Sequence, residues 1–288
     1  LEPFFRSLDD GICENSFASL FLAGCVSPLE ISRAGERCYL VRASGTAADS
    51  GQQDSGRFLR IAGDFPAAGQ LQELLRHPAL AGCGTLRDIP AAAVPGLPFR
   101  CELDRDNCDY LYQRGDLAEL KGKAFHKKKN LVNQFCGSYT AALKALDAST
   151  DADARHVLDM WTARSQEQGG DGGDAKQCSL ALRYREELGL YGFVLYADGS
   201  PVAFSLGEEL CGGTMFDCHF EKGVDGVHGV YQAINYFTAR ALPEHVTLIN
   251  REQDLGNAGL RQAKQTYRPC GMVEKFRCTL KEAAPQRM

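Results

Sequence analysis

The sequence has 288 residues, 44% apolar and 24% charged, which is typical of a globular protein with one large domain or two ordinary ones. The net charge of −5 excludes a globally basic nucleic-acid-binding protein, so any surface for nucleic acid must be local. The longest apolar run, Phe17 to Val26, is too short to cross a bilayer, and the first residues lack the layout of a signal peptide. We therefore expect a cytoplasmic protein with no transmembrane segment.

The first hundred residues predict a modest α/β unit. A helix is predicted from Phe17, and strands are predicted at Leu29 to Ser32, Cys38 to Ala43 and Arg57 to Ile61. The small, polar residues 43–56 indicate a loop between the last two strands. No recognisable catalytic arrangement occurs in this part of the sequence.

A long basic helix is predicted from about Asp116 to Phe135, because apolar residues recur at steps of three and four. Between Lys121 and Leu146 there are six lysines, at 121, 123, 127, 128, 129 and 144, and no acidic residue. In an acidic protein this imbalance indicates either a polyanion site or an ordinary solvated helix face. The predicted polyanion-binding residues are Lys121, Lys123, His126, Lys127, Lys128, Lys129 and Asn130.

The pattern becomes regular from Gly137 to Leu280, where the predicted elements follow the order β-α-α-β-β-β-α-β-α-β. The dipeptide Asp198-Gly199 predicts a hairpin turn between two strands. A strand, a glycine-containing loop and a helix are predicted between Thr214 and Leu242. The last strand is predicted at Met272 to Cys278.

The strand that begins at Thr214 is the predicted reaction centre. Asp217, His219 and Glu221 alternate with apolar residues, so we expect the three ionisable side chains to share one face. The following loop contains Gly226 and Gly229 just before a helix, whose first backbone amides are available to an anionic group.

The twelve cysteines form no Cys-x-x-Cys pair, and spacings such as Cys101/Cys108 and Cys211/Cys218 match no common zinc framework. Most lie among apolar residues inside predicted helices or strands. Reduced cysteine is a common core residue of cytosolic proteins, in which disulfides are rare. The sequence therefore predicts reduced core cysteines and no bound metal, with disulfides as the alternative.

Several stretches closely resemble one protein family, which shares the C-terminal domain of phosphatidylglycerol lysyltransferases and includes stand-alone cytosolic members. These stretches are Leu120-Lys-Gly-Lys-Ala-Phe-His-Lys-Lys-Lys-Asn130, His219-Phe-Glu-Lys222, Gly229-Val-Tyr-Gln232, Asn250-Arg-Glu-Gln-Asp-Leu-Gly256 and Gly259-Leu-Arg-Gln-Ala-Lys-Gln-Thr-Tyr-Arg-Pro269. Residues 104–112 match as well, so the resemblance extends over most of the chain.

The resemblance implies a mixed α/β fold with two tandem domains of the acyl-CoA N-acyltransferase (GNAT) type, as in the Fem-type peptidyl transferases, with the second better preserved. We expect the domains to cover residues 1–115 and 116–288, the second beginning with the basic helix 116–136. The lipid-modifying members move an aminoacyl group from a charged transfer RNA (tRNA) to a lipid head group. The resemblance thus implies an acyltransferase with tRNA and anionic lipid head groups as partners, and no tightly bound cofactor. Since no membrane segment is predicted here, other amine or hydroxyl acceptors stay open.

Two alternatives to an aminoacyltransferase also remain open. Coenzyme A-dependent members of the superfamily usually carry an Arg/Gln-x-x-Gly-x-Gly/Ala loop, and here only Gly226 and Gly229 remain of it. This incomplete phosphate cradle weakens, without excluding, acyl-coenzyme A as the donor. The third hypothesis is a non-catalytic module that binds RNA or anionic head groups through its lysine-rich helix.

Acyl transfer requires a base for the nucleophile and an acid for the leaving group. We predict His219 and Glu221 as a base or as a base held by its partner, with a strand face paired to lysines as the alternative. The resemblance implies that Tyr267, at the end of the penultimate helix, is the leaving-group acid, with a packed, hydrogen-bonded tyrosine as the alternative.

Further binding residues are predicted around the glycine loop and beyond the penultimate strand, because loops at strand ends often carry binding groups. Arg251 has a side chain suited to a phosphate or carboxylate, although an ion pair with Asp254 is the alternative. The predicted donor- or substrate-binding residues are Gly226, Gly229, Tyr231, Gln232, Asn250, Arg251, Glu252, Asp254, Arg261 and Lys264.

Overall fold

The structure, a computed structural model, describes residues 1–43, 57–80, 83–167, 169 and 173–280. Most of the predicted loop at 43–56 lies outside these residues. The described chain divides into two compact units, the first made of Leu1–Cys108 and the residues from Val273 onward, the second of Asp109–Met272. The predicted mixed α/β fold is confirmed, whereas the boundary between residues 115 and 116 stays a prediction.

The helices are α1 (Glu2–Arg6), α2 (Phe17–Val26), α3 (Ala68–Leu75), α4 (Arg114–Glu119), α5 (His126–Ser138), α6 (Asp151–Glu167), α7 (Ala175–Arg183), α8 (Val230–Ala241) and α9 (Ala258–Gln265). The strands are β1 (Leu29–Gly35), β2 (Cys38–Ala43), β3 (Arg57–Gly63), β4 (Cys83–Pro90), β5 (Cys101–Leu103), β6 (Asp109–Gln113), β7 (Ala141–Ala145), β8 (Tyr191–Ala197), β9 (Ser200–Leu210), β10 (Met215–Gly223), β11 (Leu248–Asn250), β12 (Gly271–Val273) and β13 (Lys275–Thr279). None of the helices in the described ranges is both long and apolar enough to cross a membrane.

The first unit contains a six-stranded sheet in the order β1-β2-β3-β4-β13-β5, in which only β3 and β4 pair in parallel. The sequence predicts that the segment after α9 forms one strand, the last of the second domain. This prediction is wrong. The segment divides into β12 and β13, which belong to different sheets. The reason is burial, because Phe276 and Cys278 pack into the core of the first unit beside Leu86 and Ile89.

A disulfide joins β13 to β5 within the first unit. Cys278 lies directly opposite Cys101 in the antiparallel ladder, with their α-carbons 4.3 Å apart. Sequence spacing could not reveal this pair, because the two residues are 177 positions apart. The expectation that the core cysteines are reduced is therefore wrong for these two.

The second unit contains a seven-stranded sheet in the order β12-β6-β11-β10-β9-β8-β7. β10 and β11 are parallel, and β10, β9, β8 and β7 form antiparallel neighbours. The hairpin predicted at Asp198-Gly199 is confirmed, since both residues adopt a positive φ between β8 and β9. α8 packs on this sheet through Val230, Ala233 and Ile234.

The predicted continuous basic helix is broken, and this prediction is wrong. α4 ends at Glu119, and the next residue, Leu120, adopts a left-handed φ of 48°. A short 3-10 turn at Lys123–Phe125 precedes α5. A left-handed residue other than glycine costs about 1–2 kcal/mol. Burial offsets this cost, because the turn packs Leu120 against Phe125 and Val132 in a small apolar cluster.

α5 packs closely over the start of α8. A β-carbon at Gly229 would lie 2.7 Å from the carbonyl oxygen of Leu131 and 3.5 Å from Phe135 Cβ, both in α5. Gly229 also has a φ of +78°, which other residues rarely adopt. On the same side, His228 Nε2 lies 3.0 Å from Gln134 Oε1 of α5. Glycine is therefore required at position 229 for both space and conformation.

The variant Gly229→Ala should be less stable than Gly226→Ala by about 1–3 kcal/mol, because only the first adds a methyl group to a closely packed contact. Gly226 is the matched control, since it has a similar φ of +82° and a methyl group there would meet no described atom within 4 Å. Urea unfolding of the two variants measures the difference. Equal losses of stability in the two variants would mean that α5 does not pack on the loop in solution.

Candidate active site

A pocket opens in the second unit where β10 and β11 stop pairing. Their parallel ladder ends with Asp217 opposite Asn250. Ligand sites commonly lie at the carboxyl ends of parallel strands, and here a cavity of about 520 Å³ occupies that position. Its lining residues are Lys128, Asp174, Cys218, His219, Glu221, Lys222, Tyr231, Gln232, Arg251, Glu252, Gln253, Leu255, Leu260, Ala263, Lys264 and Tyr267.

Many of the predicted site residues come together in this lining. The ones that do are Lys128, His219, Glu221, Tyr231, Gln232, Arg251, Glu252, Lys264 and Tyr267. Those that lie outside the lining are Gly226, Gly229, Asn250, Asp254, Arg261, Lys121, Lys123, His126, Lys127, Lys129 and Asn130. The predicted reaction centre on β10 thus coincides with a cavity, whereas the predicted polyanion surface contributes only Lys128 to it.

β10 carries a bulge beside the pocket. Asp217 pairs with Glu208 and Phe220 pairs with Leu206, so β10 has one more residue than β9 in this interval. The strict alternation predicted for β10 is interrupted, and the neighbouring residues Cys218 and His219 both line the cavity. Cys218, one of the apolar residues in that alternation, therefore shares the lining with His219 while also packing against the core cluster that contains Phe216.

Glu221, Arg251 and Tyr267 form a contiguous group on one wall of the pocket. Arg251 Nη2 donates to Glu221 Oε1 over 2.8 Å, and the guanidinium lies 5.0 Å from the centre of the Tyr267 ring. The Tyr267 hydroxyl is hydrogen-bonded to Arg251 and Gln232, and burial raises its pKa to about 12. Tyr267 is thus protonated at neutral pH and is able to donate a proton.

The alternative Arg251–Asp254 ion pair does not form between these two described residues. Asp254 instead accepts two hydrogen bonds from Arg261, at 2.8 and 2.9 Å, and one from Tyr110 at 2.6 Å. The Asn250 side chain accepts a bond from the backbone N–H of Glu252 over 2.7 Å. Asn250, Asp254 and Arg261 therefore shape the loop after β11, and Arg251 remains available to the pocket.

His219, a second part of the pocket lining, lies in a buried acidic cluster. Nε2 is 3.0 Å from Glu208 Oε1, and Nδ1 is 2.9 Å from Glu252 Oε1 and 3.6 Å from Asp217 Oδ2. Burial disfavours the imidazolium, but the three carboxylates outweigh burial and raise the pKa of His219 well above its ordinary value. The predicted partner Glu221 is instead bonded to Arg251.

Three cations, Lys128, Arg251 and Lys264, belong to the pocket lining. Lys128 Nζ is 4.2 Å from the centre of the Tyr267 ring, and Lys264 Nζ donates to the carbonyl oxygen of Arg251. Burial, followed by the nearby Arg251, lowers the pKa of Lys128 and lowers that of Lys264 to about 8. In the described part of the chain neither lysine forms a salt bridge, so this part of the lining favours an anionic ligand.

The family model described as "Phosphatidylglycerol lysyltransferase, C-terminal" matches residues 83–279, more than half of the chain. The chain belongs to this family. The resemblance inferred from the sequence motifs is thereby confirmed, and the family description supports a transferase. No curated protein matches the sequence.

Solved structures agree with this assignment. A conserved protein of unknown function from Bacteroides thetaiotaomicron VPI-5482 is 27% identical, with a TM-score of 0.83 over 97% of this chain and 95% of that one. L-PGS from Bacillus licheniformis is 13% identical, with a TM-score of 0.61 over 88% and 84% of the two chains. FemX is 10% identical, with a TM-score of 0.62 over 97% and 95%. The last two likenesses concern the fold alone.

In this member of the phosphatidylglycerol lysyltransferase C-terminal family, the predicted basic surface does not form a single face. Lys121 pairs with Glu119 over 2.7 Å, and Lys129 donates to the Tyr236 hydroxyl over 3.2 Å. Lys128 points into the pocket instead. Neighbouring helical residues are about 100° apart around the axis, so a run of lysines necessarily diverges.

Sequence reasoning missed several residues that line the pocket or contact its lining. Glu208 interrupts the apolar run of β9, and a charge in such a run is a usable signal of a buried polar site. Lys222 lies within the family motif and bonds Asp174 over 2.6 Å. The exposed Leu255 and Leu260 also line the cavity. Both lie within family motifs, but single exposed leucines are common, so neither was singled out as a site residue.

Proposed function

We propose that this protein transfers an aminoacyl group from an aminoacyl-tRNA to an amine or hydroxyl acceptor, in the pocket between β10 and the loop after β11. The family description supports a transferase of this kind, and the lining supplies an acid, carboxylates and cations. We infer a cytoplasmic protein, because charged tRNA is the donor. No tightly bound cofactor is required for this chemistry.

The choice of donor rests on one observation, the packing of α5 over the start of α8. A coenzyme A pyrophosphate would need the backbone amides of the loop that ends at Gly229. The Leu131 carbonyl oxygen instead approaches Gly229 so closely that not even a methyl group fits there. A carbonyl oxygen carries partial negative charge and disfavours a phosphate at that position. This favours aminoacyl-tRNA over acyl-coenzyme A, which remains the alternative donor.

The charged and polar residues of the lining suit the steps of the reaction. Lys128, Arg251 and Lys264 provide positive charge for the phosphates at the 3′ end of the donor. Tyr267 is placed to give its proton to the leaving oxygen, and Arg251 to stabilise the negative charge that develops there. The family description includes phosphatidylglycerol, so an anionic lipid head group at a membrane surface is the acceptor we test first.

Donor binding tests the proposal with two matched lysine variants. We expect charged tRNA to bind, and acyl-coenzyme A to show no measurable affinity by calorimetry. Lys128→Gln should weaken the binding of both a full-length aminoacyl-tRNA and a short 3′-aminoacylated fragment. The slope of the logarithm of the binding constant against the logarithm of the salt concentration should fall in magnitude by about one. Lys127→Gln, exposed on the same helix, should leave fragment binding unchanged.

Three outcomes would contradict parts of the proposal. Micromolar affinity for acyl-coenzyme A would favour the coenzyme A-dependent alternative. Equal effects of the two lysine variants on the fragment would remove Lys128 from the donor site. Binding of tRNA or head groups without transfer to amine, hydroxyl or lipid acceptors would favour a non-catalytic binding module.

A further inference from the structure

His219 is held so that it has no free nitrogen. Both ring nitrogens lie within 3.0 Å of carboxylate oxygens of Glu208 and Glu252, and the side chain is 4% exposed. The surrounding carboxylates keep the ring protonated by raising its pKa, against the effect of burial. An imidazolium with both N–H groups bonded has no lone pair for a substrate proton. His219 is therefore unsuited to be the general base at neutral pH.

Glu252 lies beside His219, and its backbone has a strained conformation that hydrogen bonds stabilise. Its φ is 55°, in the left-handed region that residues other than glycine rarely adopt. Its backbone N–H donates to Asn250 Oδ1 over 2.7 Å, and its carbonyl oxygen accepts from the N–H of Tyr110 over 3.1 Å. Strain of this kind persists only where the surroundings determine the conformation, and it clusters at functional sites.

The pocket carboxylates differ in their partners. Glu221 is bonded to the guanidinium of Arg251, and Asp174 is bonded to the ammonium of Lys222. In the described part of the chain, Glu252 is bonded to neither a lysine nor an arginine, and only its Oε1 is hydrogen-bonded, to His219. With a side chain 26% exposed in the pocket lining, Glu252 leaves Oε2 for a ligand.

We propose that Glu252 is the proton acceptor of the transfer reaction and that His219 is the residue that positions it, an assignment that rests on the proposed function. The attacking amine or hydroxyl gives its proton to Glu252 Oε2 as its nitrogen or oxygen bonds to the acyl carbon. The ester C–O bond to tRNA breaks, and the leaving oxygen takes the proton of the Tyr267 hydroxyl. Glu252 and Tyr267 then return to their starting states by proton exchange through solvent.

The electrostatic surroundings of Glu252 decide how its variants are interpreted. The titratable groups that interact with it include Asp217, Cys218 and His219 of β10 and Lys264 of α9. Burial raises the pKa of the Cys218 thiol above its usual range, so this thiol stays protonated at neutral pH and takes no part in the titration. The pH dependence of transfer must therefore be compared in the wild type and in the Glu252 variant.

The first arm of the test replaces Glu252. Glu252→Gln should lower kcat by roughly 100- to 10,000-fold with little change in KM for the donor, and should change the pH profile of kcat/KM. Glu209→Gln is the matched control, because Glu209 is similarly exposed and bonds Tyr191 and His245 away from the pocket. The control should transfer at the wild-type rate. A Glu252→Gln variant with wild-type kcat and pH profile would refute the assignment.

The second arm tests the role of His219. His219→Asn retains one N–H donor for Glu252, and we expect it to keep more kcat than His219→Ala at an unchanged donor KM. Nitrogen chemical shifts of the His219 ring in the wild type should show two protonated nitrogens at pH 7. A neutral ring at that pH, or equal activity of the two variants, would overturn the positioning role. The ring measurement decides the matter even if His219→Ala does not fold.

The outcomes separate this assignment from the proposed function. Wild-type transfer together with an unaffected Glu252→Gln variant removes the role of Glu252 and leaves the proposed function intact. A wild-type protein that transfers from no donor removes both the proposed function and the proton-transfer role. The protonation state of His219 is measured independently of either result.

Discussion

Tyr267→Phe should lower aminoacyl transfer by roughly 100- to 10,000-fold while the affinity for the donor stays nearly unchanged. The phenol is bonded to Arg251 and Gln232 in the pocket, and its removal leaves the leaving oxygen without a proton donor. Because burial raises the pKa of Tyr267 to about 12, the hydroxyl stays protonated at neutral pH. Any loss of rate caused by its ionisation should therefore appear only as the pH approaches about 12.

Single-turnover rates of charged tRNA consumption measure this effect. Tyr236→Phe is the matched control, because its hydroxyl bonds Lys129 and Arg240 outside the pocket lining. Glu221→Gln should also reduce the rate, and the two losses should not multiply, since Glu221, Arg251 and Tyr267 act as one group. Transfer at the wild-type rate by Tyr267→Phe would exclude it as the leaving-group acid.

Arg251→Met should reduce the free energy of unfolding by about 3–5 kcal/mol, the second large effect that we expect. Arg251 and Glu221 form a salt bridge in which the two side chains are only 17% and 11% exposed. Removing one partner of such a mostly buried pair leaves the other charge uncompensated, and this costs more than the pair itself contributes. The variant is therefore expected to lose far more stability than an ordinary surface substitution.

A double-mutant cycle provides the control. Glu221→Gln in the Arg251→Met background removes the uncompensated carboxylate and should restore a large part of the lost stability. Urea unfolding followed by the fluorescence of Trp161, the single tryptophan and a residue of the second unit, measures the variants. If the two losses simply add, the pair does not interact in solution.

The sequence could predict the elements whose signals are local. The alternation and turn residues around Asp198 and Gly199 predicted the β8–β9 hairpin, and helical spacing predicted α8. Family motifs, which were short and contiguous, located most of the pocket lining, including Tyr267 and Arg251. Such signals can be recognised in the sequence because turns, helical periods and motifs involve residues only a few positions apart.

The sequence could not predict the partners that meet across the second unit. Alternation on β10 suggested that His219 and Glu221 act together, but the bulge directs His219 to Glu208 and Glu252, and Glu221 to Arg251. A bulge depends on the register with the neighbouring strand, and nothing in the local sequence marks the extra residue.

By itself, then, the amino-acid sequence determined the family, the mixed α/β class, the hairpin and α8, and the part of β10 that lines the pocket. Only the tertiary structure decided that β13 joins the first sheet, that the chain turns at Leu120, and that Lys128 enters the pocket. The periodicity of apolar residues indicates which side of a helix or strand is buried. The surface against which that side packs is decided by contacts between residues far apart in sequence. The ionisation of His219 has the same origin, because its pKa depends on carboxylates supplied by three separate segments of the chain.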